Sequence, residues 1–256
     1  MARVFITGSA DGLGLLSARQ LVAQGHAVTL HARSDARGKD AQRGCPEAEG
    51  VVVGDLSTLA GMHAVAEGAN ARGRFDAVIH NAGIGYMVGE RVETADGLEQ
   101  HFAINVLAPY VLTARITRPS RLVYLSSGMH LGGKADLSDP QWKDRRWSGS
   151  QAYSDTKLFD TLLAFAVARL WPDVRSNAVE PGWVATKMGG KNAPDDLEAG
   201  GITQGWLATS DEPAALVTGQ LLYHQVPGKV HPAANDAKVQ DALLAYCASL
   251  SGARLA

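Results

Sequence analysis

Tyr153 and Lys157 stand four residues apart in the segment Tyr153-Ser154-Asp155-Thr156-Lys157. On a helix that spacing sets both side chains on one face. A free phenol titrates at about pH 10 and is a poor acid–base group near neutrality. A neighbouring ammonium favours the phenolate and lowers that value, so the pair can pass a proton to or from a carbonyl oxygen. The spacing is common by itself, and its weight comes from what surrounds it. Ser126 and Ser127 close the apolar run Leu122-Val123-Tyr124-Leu125. Asn105 breaks the apolar stretch His101-Phe102-Ala103-Ile104-Asn105-Val106.

A second group of residues suits an anion. Thr7-Gly8-Ser9-Ala10-Asp11-Gly12-Leu13-Gly14 follows a short apolar run and opens a helical pattern. Glycines there permit a tight turn and let backbone N–H groups approach a pyrophosphate at the helix N-terminus. The next apolar run ends His31-Ala32-Arg33-Ser34. A site built for NAD usually has an acidic residue here to accept from the ribose hydroxyls. Ala32 is followed instead by Arg33, whose guanidinium can grip a 2′-phosphate with two hydrogen bonds, and Ser34 can add a hydroxyl. The plainer reading of Arg33 is a solvated loop residue paired with Asp35.

These residues must be carried to one edge by regular elements. Val4-Phe5-Ile6, Val28-Thr29-Leu30, Val51-Val52-Val53, Ala77-Val78-Ile79, Leu122-Val123-Tyr124-Leu125 and Ser176-Asn177-Ala178-Val179 read as six buried strands. Helical patterns separate them, among them Leu13 to Val22 closed by Gly25, and Asp155 to Leu170. Continuous apolar strands alternating with helices predict an α/β fold, a doubly wound parallel β-sheet with helices on both faces, in a single domain over 1–256. Gly128 to Ser150 is the one long irregular loop, a length that favours a functional role. Asp236 to Leu250 reads as an amphipathic helix.

The turn T-G-x-x-x-G-x-G, the Asn81-Ala82-Gly83 triplet, the serine-ended strand, the Y-x-x-x-K pair and Pro181-Gly182-Trp183-Val184-Ala185-Thr186 occur in that order. Together they resemble the short-chain dehydrogenase/reductase family over about the first three quarters of the chain. The resemblance implies a Rossmann-type fold and a hydride exchanged between nicotinamide and a carbonyl or alcohol. It implies that Ser127 binds the substrate oxygen, with Ser126 as the fallback, and that Tyr153 is the proton donor. Lys157 would tune Tyr153 and hold the nicotinamide ribose, and Asn105 would hold a relay water. Thr7, Gly8, Ser9, Asp11, Gly12, Leu13 and Gly14 would line the pyrophosphate. Asp55, followed by Leu56, would meet the adenine amino group; a helix N-cap is its other reading. Asn81, Ala82 and Gly83 would line the pocket, as would Pro181, Gly182, Val184 and Thr186 around the carboxamide. His80 reads as a packed strand-end residue. With Arg33, this predicts NADP(H) in preference to NAD(H).

Two departures qualify the likeness. The Ser127-to-Tyr153 interval is longer than usual, similar to the retinol dehydrogenase and WW-domain oxidoreductase branch. The stretch between Asn105 and Ser126 is short, and in many relatives the helix there builds a dimer face. A monomer or homodimer is therefore expected rather than the usual tetramer.

The 256 residues carry a formal net charge of -2, which does not favour nucleic acid or an anionic membrane as partner. Cys45 and Cys247 are the only cysteines, the N-terminus lacks a signal-peptide pattern and no apolar run is long enough to span a bilayer. These features predict a cytoplasmic protein with reduced thiols and a small-molecule partner. No metal site is expected. Tyr86, Met129, Trp142, Trp147, Trp183, Met188 and Trp206 are expected in loops at the carboxyl edge, with a substrate-loop region at about 183–211. They favour an apolar or aromatic ketone or aldehyde. A catalytically silent NADP(H)-binding sensor and a non-redox epimerase or dehydratase are the rival readings.

Overall fold

The computed structural model describes residues 1–255. Its first half alternates β1 (Arg3–Ile6), α1 (Gly12–Ala23), β2 (Ala27–Ala32), α2 (Asp35–Gly44), β3 (Gly50–Val53), α3 (Leu59–Asn70) and β4 (Ala77–His80). A π-helical turn, Phe102–Leu107, runs into α4 (Ala108–Arg115), followed by β5 (Arg121–Leu125), α5 (Gly149–Leu170) and β6 (Arg175–Glu180). The chain ends with α6 (Leu197–Thr209), β7 (Leu221–Tyr223), β8 (Val226–Pro227) and α7 (Ala237–Ser251).

The strands form one sheet in the order β3-β2-β1-β4-β5-β6-β7-β8, parallel except for β8. The order reverses between β1 and β4, and ligands of open α/β sheets bind outside the carboxyl ends of the strands at such a point. The period of two divides the core. Val4 and Ile6 join Val28, Leu30, Ile79 and Val123 under α1, α2 and α6. Phe5 joins Val78, Leu122 and Tyr124 under α3, α4, α5 and α7.

The six strands read from sequence are all present, and β7 and β8 add an edge beyond them. The region 183–211 is not one loop. Trp183 to Asp196 is irregular, but α6 packs along α1 through close approaches at Gly200, Gly201 and Gly205. Trp206 thus lies in a packed helix, its Nε1 donating to Glu212 at 2.9 Å, and does not face the carboxyl edge. The Gly128–Ser150 interval holds one short 3-10 turn, Gly128–Gly132. Cys45 and Cys247 are both free and buried. No helix among the described residues is long and apolar enough to cross a membrane.

Candidate active site

The glycine turn is bolted to its neighbours by side chains. Gly8 adopts φ +64°, and a Cβ there would meet the Ala82 Cα at 2.7 Å, so the position needs glycine. Its N–H donates to His31 Nδ1 at 2.9 Å, and the other ring nitrogen faces the Gly54 carbonyl at 3.0 Å. A nitrogen that accepts carries no proton, so His31 is neutral and protonated at Nε2. Burial agrees, pushing its pKa down to about 4. Thr7 Oγ1 accepts from the N–H groups of Asn81 and Ala82, both at 3.0 Å, and Asn81 Nδ2 donates back to the Thr7 and Gly8 carbonyls.

Ser9 corrects the reading of the turn. Its hydroxyl donates to the Ile6 carbonyl, accepts from the His31 N–H, and its own N–H donates to the His31 carbonyl. It has no donor left for a phosphate. Asp11 heads α1 without capping it and leaves the N–H groups at Gly12, Leu13 and Gly14 without a side-chain acceptor. Its carboxylate instead meets Arg37 at 2.6 Å and Lys187, on the loop after β6, at 2.8 Å. Burial opposes the ionised form, but these two cations hold its pKa below the ordinary aspartate value. An uncapped helix start with a glycine cradle fits a pyrophosphate.

In the region after β2, Arg33 is exposed and makes no ion pair among the described residues, so the pairing with Asp35 offered by the plainer reading is absent. Ser34 N-caps α2 by accepting from the Arg37 N–H. Asp55 accepts from the Ser57 N–H at 2.9 Å, while Thr58, not Asp55, caps α3; Leu56 is buried.

The residues read from sequence as a proton-handling set come together along α5. Tyr153 is 6% exposed, with Lys157 Nζ 5.8 Å from its ring centroid. Lys157 Nζ donates to the Leu125 carbonyl and to Asp160 Oδ2, both at 2.7 Å. Asn105 lies in the π-helical turn, a form that recurs at functional sites. Its Oδ1 accepts from the Ile84 N–H at 2.9 Å, and its Nδ2 donates to Thr156 Oγ1 at 3.1 Å. Gly83 passes between these groups: a Cβ there would lie 3.3 Å from Asn105 Oδ1 and 3.6 Å from Lys157 Nζ. Ser126 turns to α5 and bonds the Lys157 carbonyl, whereas Ser127 Oγ accepts from the Met129 N–H and keeps its proton to donate. That division favours Ser127 over Ser126 at the substrate oxygen.

Other contacts frame the mouth. The Tyr86 ring meets Tyr153 edge-on at 5.8 Å, and Met188 Sδ lies 3.9 Å from the Tyr153 hydroxyl. Tyr86 is held from behind, because buried His101 bridges Glu99 at 2.9 Å and the Gly85 carbonyl at 3.0 Å. Trp147 donates to the Val88 carbonyl and packs on His101, while Trp142 is buried under Arg145. Trp183 is exposed and Met129 half-buried. Val184 is buried, and Thr186 Oγ1 accepts from the Gly189 N–H near the Gly12 face of the turn. Pro181 and Gly182 approach α6 and Asp195, with Gly182 at φ +86°. His80 is buried beneath Thr113 and Tyr124, a packing residue as expected.

His31, Thr156, Asp160 and the Glu99–His101 pair were not singled out from sequence. The available signal was a polar side chain within an apolar strand or helix face, as in Val28-Thr29-Leu30-His31.

Comparison with known proteins agrees with this geometry. The family model described as short chain dehydrogenase matches residues 2–129. An uncharacterized oxidoreductase of Emericella nidulans is 43% identical over 256 residues, covering 98% of each chain. The short-chain dehydrogenase chyC of Penicillium rubens is 40% identical, covering 100% of this chain and 99% of its own. Among solved structures, an uncharacterized protein from Mycobacterium paratuberculosis superposes with TM-score 0.83 at 28% identity, covering 100% of this chain and 95% of that one. A blue fluorescent protein from a metagenomic library, solved with NADPH, shares the fold with TM-score 0.69 at 20% identity, covering 87% of this chain and 95% of its own. A Rossmann-like sheet, a glycine turn at its switch point and a buried Tyr–Lys pair, with relatives this similar end to end, make the chain a member of the short-chain dehydrogenase/reductase family of oxidoreductases.

Proposed function

We propose that the protein is an NADP(H)-dependent oxidoreductase that interconverts a ketone or aldehyde and the corresponding alcohol. The observation that carries this reading is the buried cluster of Tyr153, Lys157 and Asn105 around Gly83, with Ser127 retaining a free donor. When bound, the nicotinamide supplies the hydride. In the reductive direction Ser127 donates a hydrogen bond to the carbonyl oxygen. Tyr153 passes its proton to that oxygen as negative charge develops there. The ammonium of Lys157 stabilises the phenolate left behind. Asn105 and Thr156 fix the π-helical turn against α5, which keeps Asn105 and Lys157 on either side of Gly83.

The preference for NADP(H) rests on Ala32, which offers no carboxylate to the ribose, and on Arg33, which is exposed and free of ion pairs. Met188 and Tyr86 at the Tyr153 hydroxyl support a partly apolar or aromatic substrate. A monomer is supported by α7, which lies over α5 and α4, with Tyr110 donating to the Ala253 carbonyl at 2.9 Å. α7 therefore takes up part of the face that the family resemblance would assign to a dimer. The decisive experiment follows oxidation of NADPH and of NADH with a panel of aromatic and aliphatic ketones and aldehydes. NADPH-dependent reduction supports the reading; binding without reduction of any carbonyl would favour a nucleotide sensor.

A further inference from the structure

Glu180 ends β6, immediately before Pro181-Gly182. Its side chain turns toward the strand-end serines: the space a Cβ at Gly128 would occupy is filled by Glu180 Oε1, 2.4 Å from that position. Gly128 follows Ser127, so a half-buried carboxylate lies beside the residue assigned to the substrate oxygen. Among the described residues no side chain or backbone N–H donates to it. Asp195 is different, because it already accepts from the Trp183 N–H at 2.6 Å and so fixes the start of the loop.

Glu180 forms no salt bridge among the described residues. Burial and the nearby Asp195 raise its pKa, and His224 opposes them only in part. The Tyr223 hydroxyl belongs to the same group, its own pKa raised by burial and by Asp195 and Glu180. His224 and Gln225 form the β7–β8 turn with φ of +46° and +66°, a conformation uncommon outside glycine. The chain thus holds a strained turn next to a carboxylate that lacks a donor. A negative charge there also works against negative charge developing at a nearby carbonyl oxygen. A substrate donor would supply the hydrogen bond that the protein does not, and a protonated amine would also offset the charge.

We propose that Glu180 is a substrate-recognition residue whose carboxylate accepts a hydrogen bond from a hydroxyl or protonated amine on the carbon next to the reacting carbonyl. The proposal rests on the oxidoreductase reading above and narrows its substrates to ketones or aldehydes with a neighbouring donor, and to the matching diols or amino alcohols.

The test compares kcat/KM for acetophenone, 2-hydroxyacetophenone and 2-aminoacetophenone, using wild type, Glu180→Gln and Glu180→Ala. Wild type is expected to favour a donor-bearing ketone by roughly tenfold or more, the span of a hydrogen bond to a charged acceptor. Glu180→Ala reduces that preference to near parity. Glu180→Gln keeps an acceptor oxygen and loses the charge, so the amine falls further than the hydroxyl. Fluorescence titration with NADPH checks that each variant is folded; if the alanine variant is not, the glutamine variant decides. Wild type that reduces carbonyls with no such preference, or a preference unchanged in the variants, overturns this proposal alone. Failure of wild type to reduce any carbonyl overturns the oxidoreductase reading and this one with it.

Discussion

Lys157 Nζ donates to Asp160 Oδ2 at 2.7 Å, one helical turn along α5, and both side chains are buried. The two pull against the same low-polarity surroundings. Burial pushes the Asp160 pKa up to about 6 even with the ammonium beside it. Burial also opposes the charge on Lys157, but Asp160 and Tyr153 outweigh it and hold its pKa above the usual lysine value. Each partner thus favours the charged form of the other, against the burial that both share. Asp160→Asn leaves the ammonium without its counter-charge, and removing one partner of a buried pair costs about 3–5 kcal/mol. With the anion gone, Lys157 acts more strongly on Tyr153, so the pH profile of kcat/KM should move to lower pH. Denaturant melts and a pH series check both effects; an unmoved profile would confine Asp160 to a structural role.

Tyr153→Phe is expected to lower kcat by about 100-fold or more, the usual weight of a general acid. NADPH affinity should change little, because the substitution deletes one hydroxyl. Single-turnover kinetics together with fluorescence titration separate the two quantities. Retention of wild-type kcat would show that another group donates the proton.

Arg33→Ala is expected to weaken NADPH by roughly 10- to 100-fold, the worth of a charge-assisted hydrogen bond, and NADH much less. The ratio of the two dissociation constants is the reading that matters. Equal losses would remove Arg33 from the 2′-phosphate and turn attention to Arg37, which Asp11 and Asp40 hold nearby.

Stability should fall on mild acidification. His31 and His80 are buried, and burial depresses their pKa values to about 4 and about 3. Between those values and about 6.5 the unfolded chain binds protons that the folded chain excludes, so stability rises with pH through that window and is lost as pH falls. The expected loss between pH 7 and pH 4 is a few kcal/mol, read as the shift in urea midpoint. His31→Leu should flatten part of this dependence. It should also weaken cofactor binding, since the Gly8 N–H loses its acceptor.

The sequence exposed the strands because each is a short run of buried apolar residues, and it exposed the site because its residues end those runs. What it hid has physical causes. Gly201 and Gly205 read as loop residues, yet they let α6 lie against Leu16 and Leu21 of α1. Strands β7 and β8 are three and two residues long, too short to show a period. Ser9 belongs to the motif by position, but only the structure shows its donors turned inward. Asp160 is one of two aspartates within a long helix, and its meaning depends on which face is buried.

The π-helical turn at Phe102–Leu107 has a consequence for how this region tolerates change. A π-turn holds one residue more than the α-helical turn it replaces. Deleting that residue would rewind the segment by about 100° per residue. Asn105 would then swing away from Ile84 and Thr156, or Glu99 and His101 would swing away from Gly85. Side-chain substitutions leave this frame intact, whereas a single-codon deletion shifts it. Libraries that vary the segment by replacement should therefore yield graded activity, and those that vary its length should yield loss.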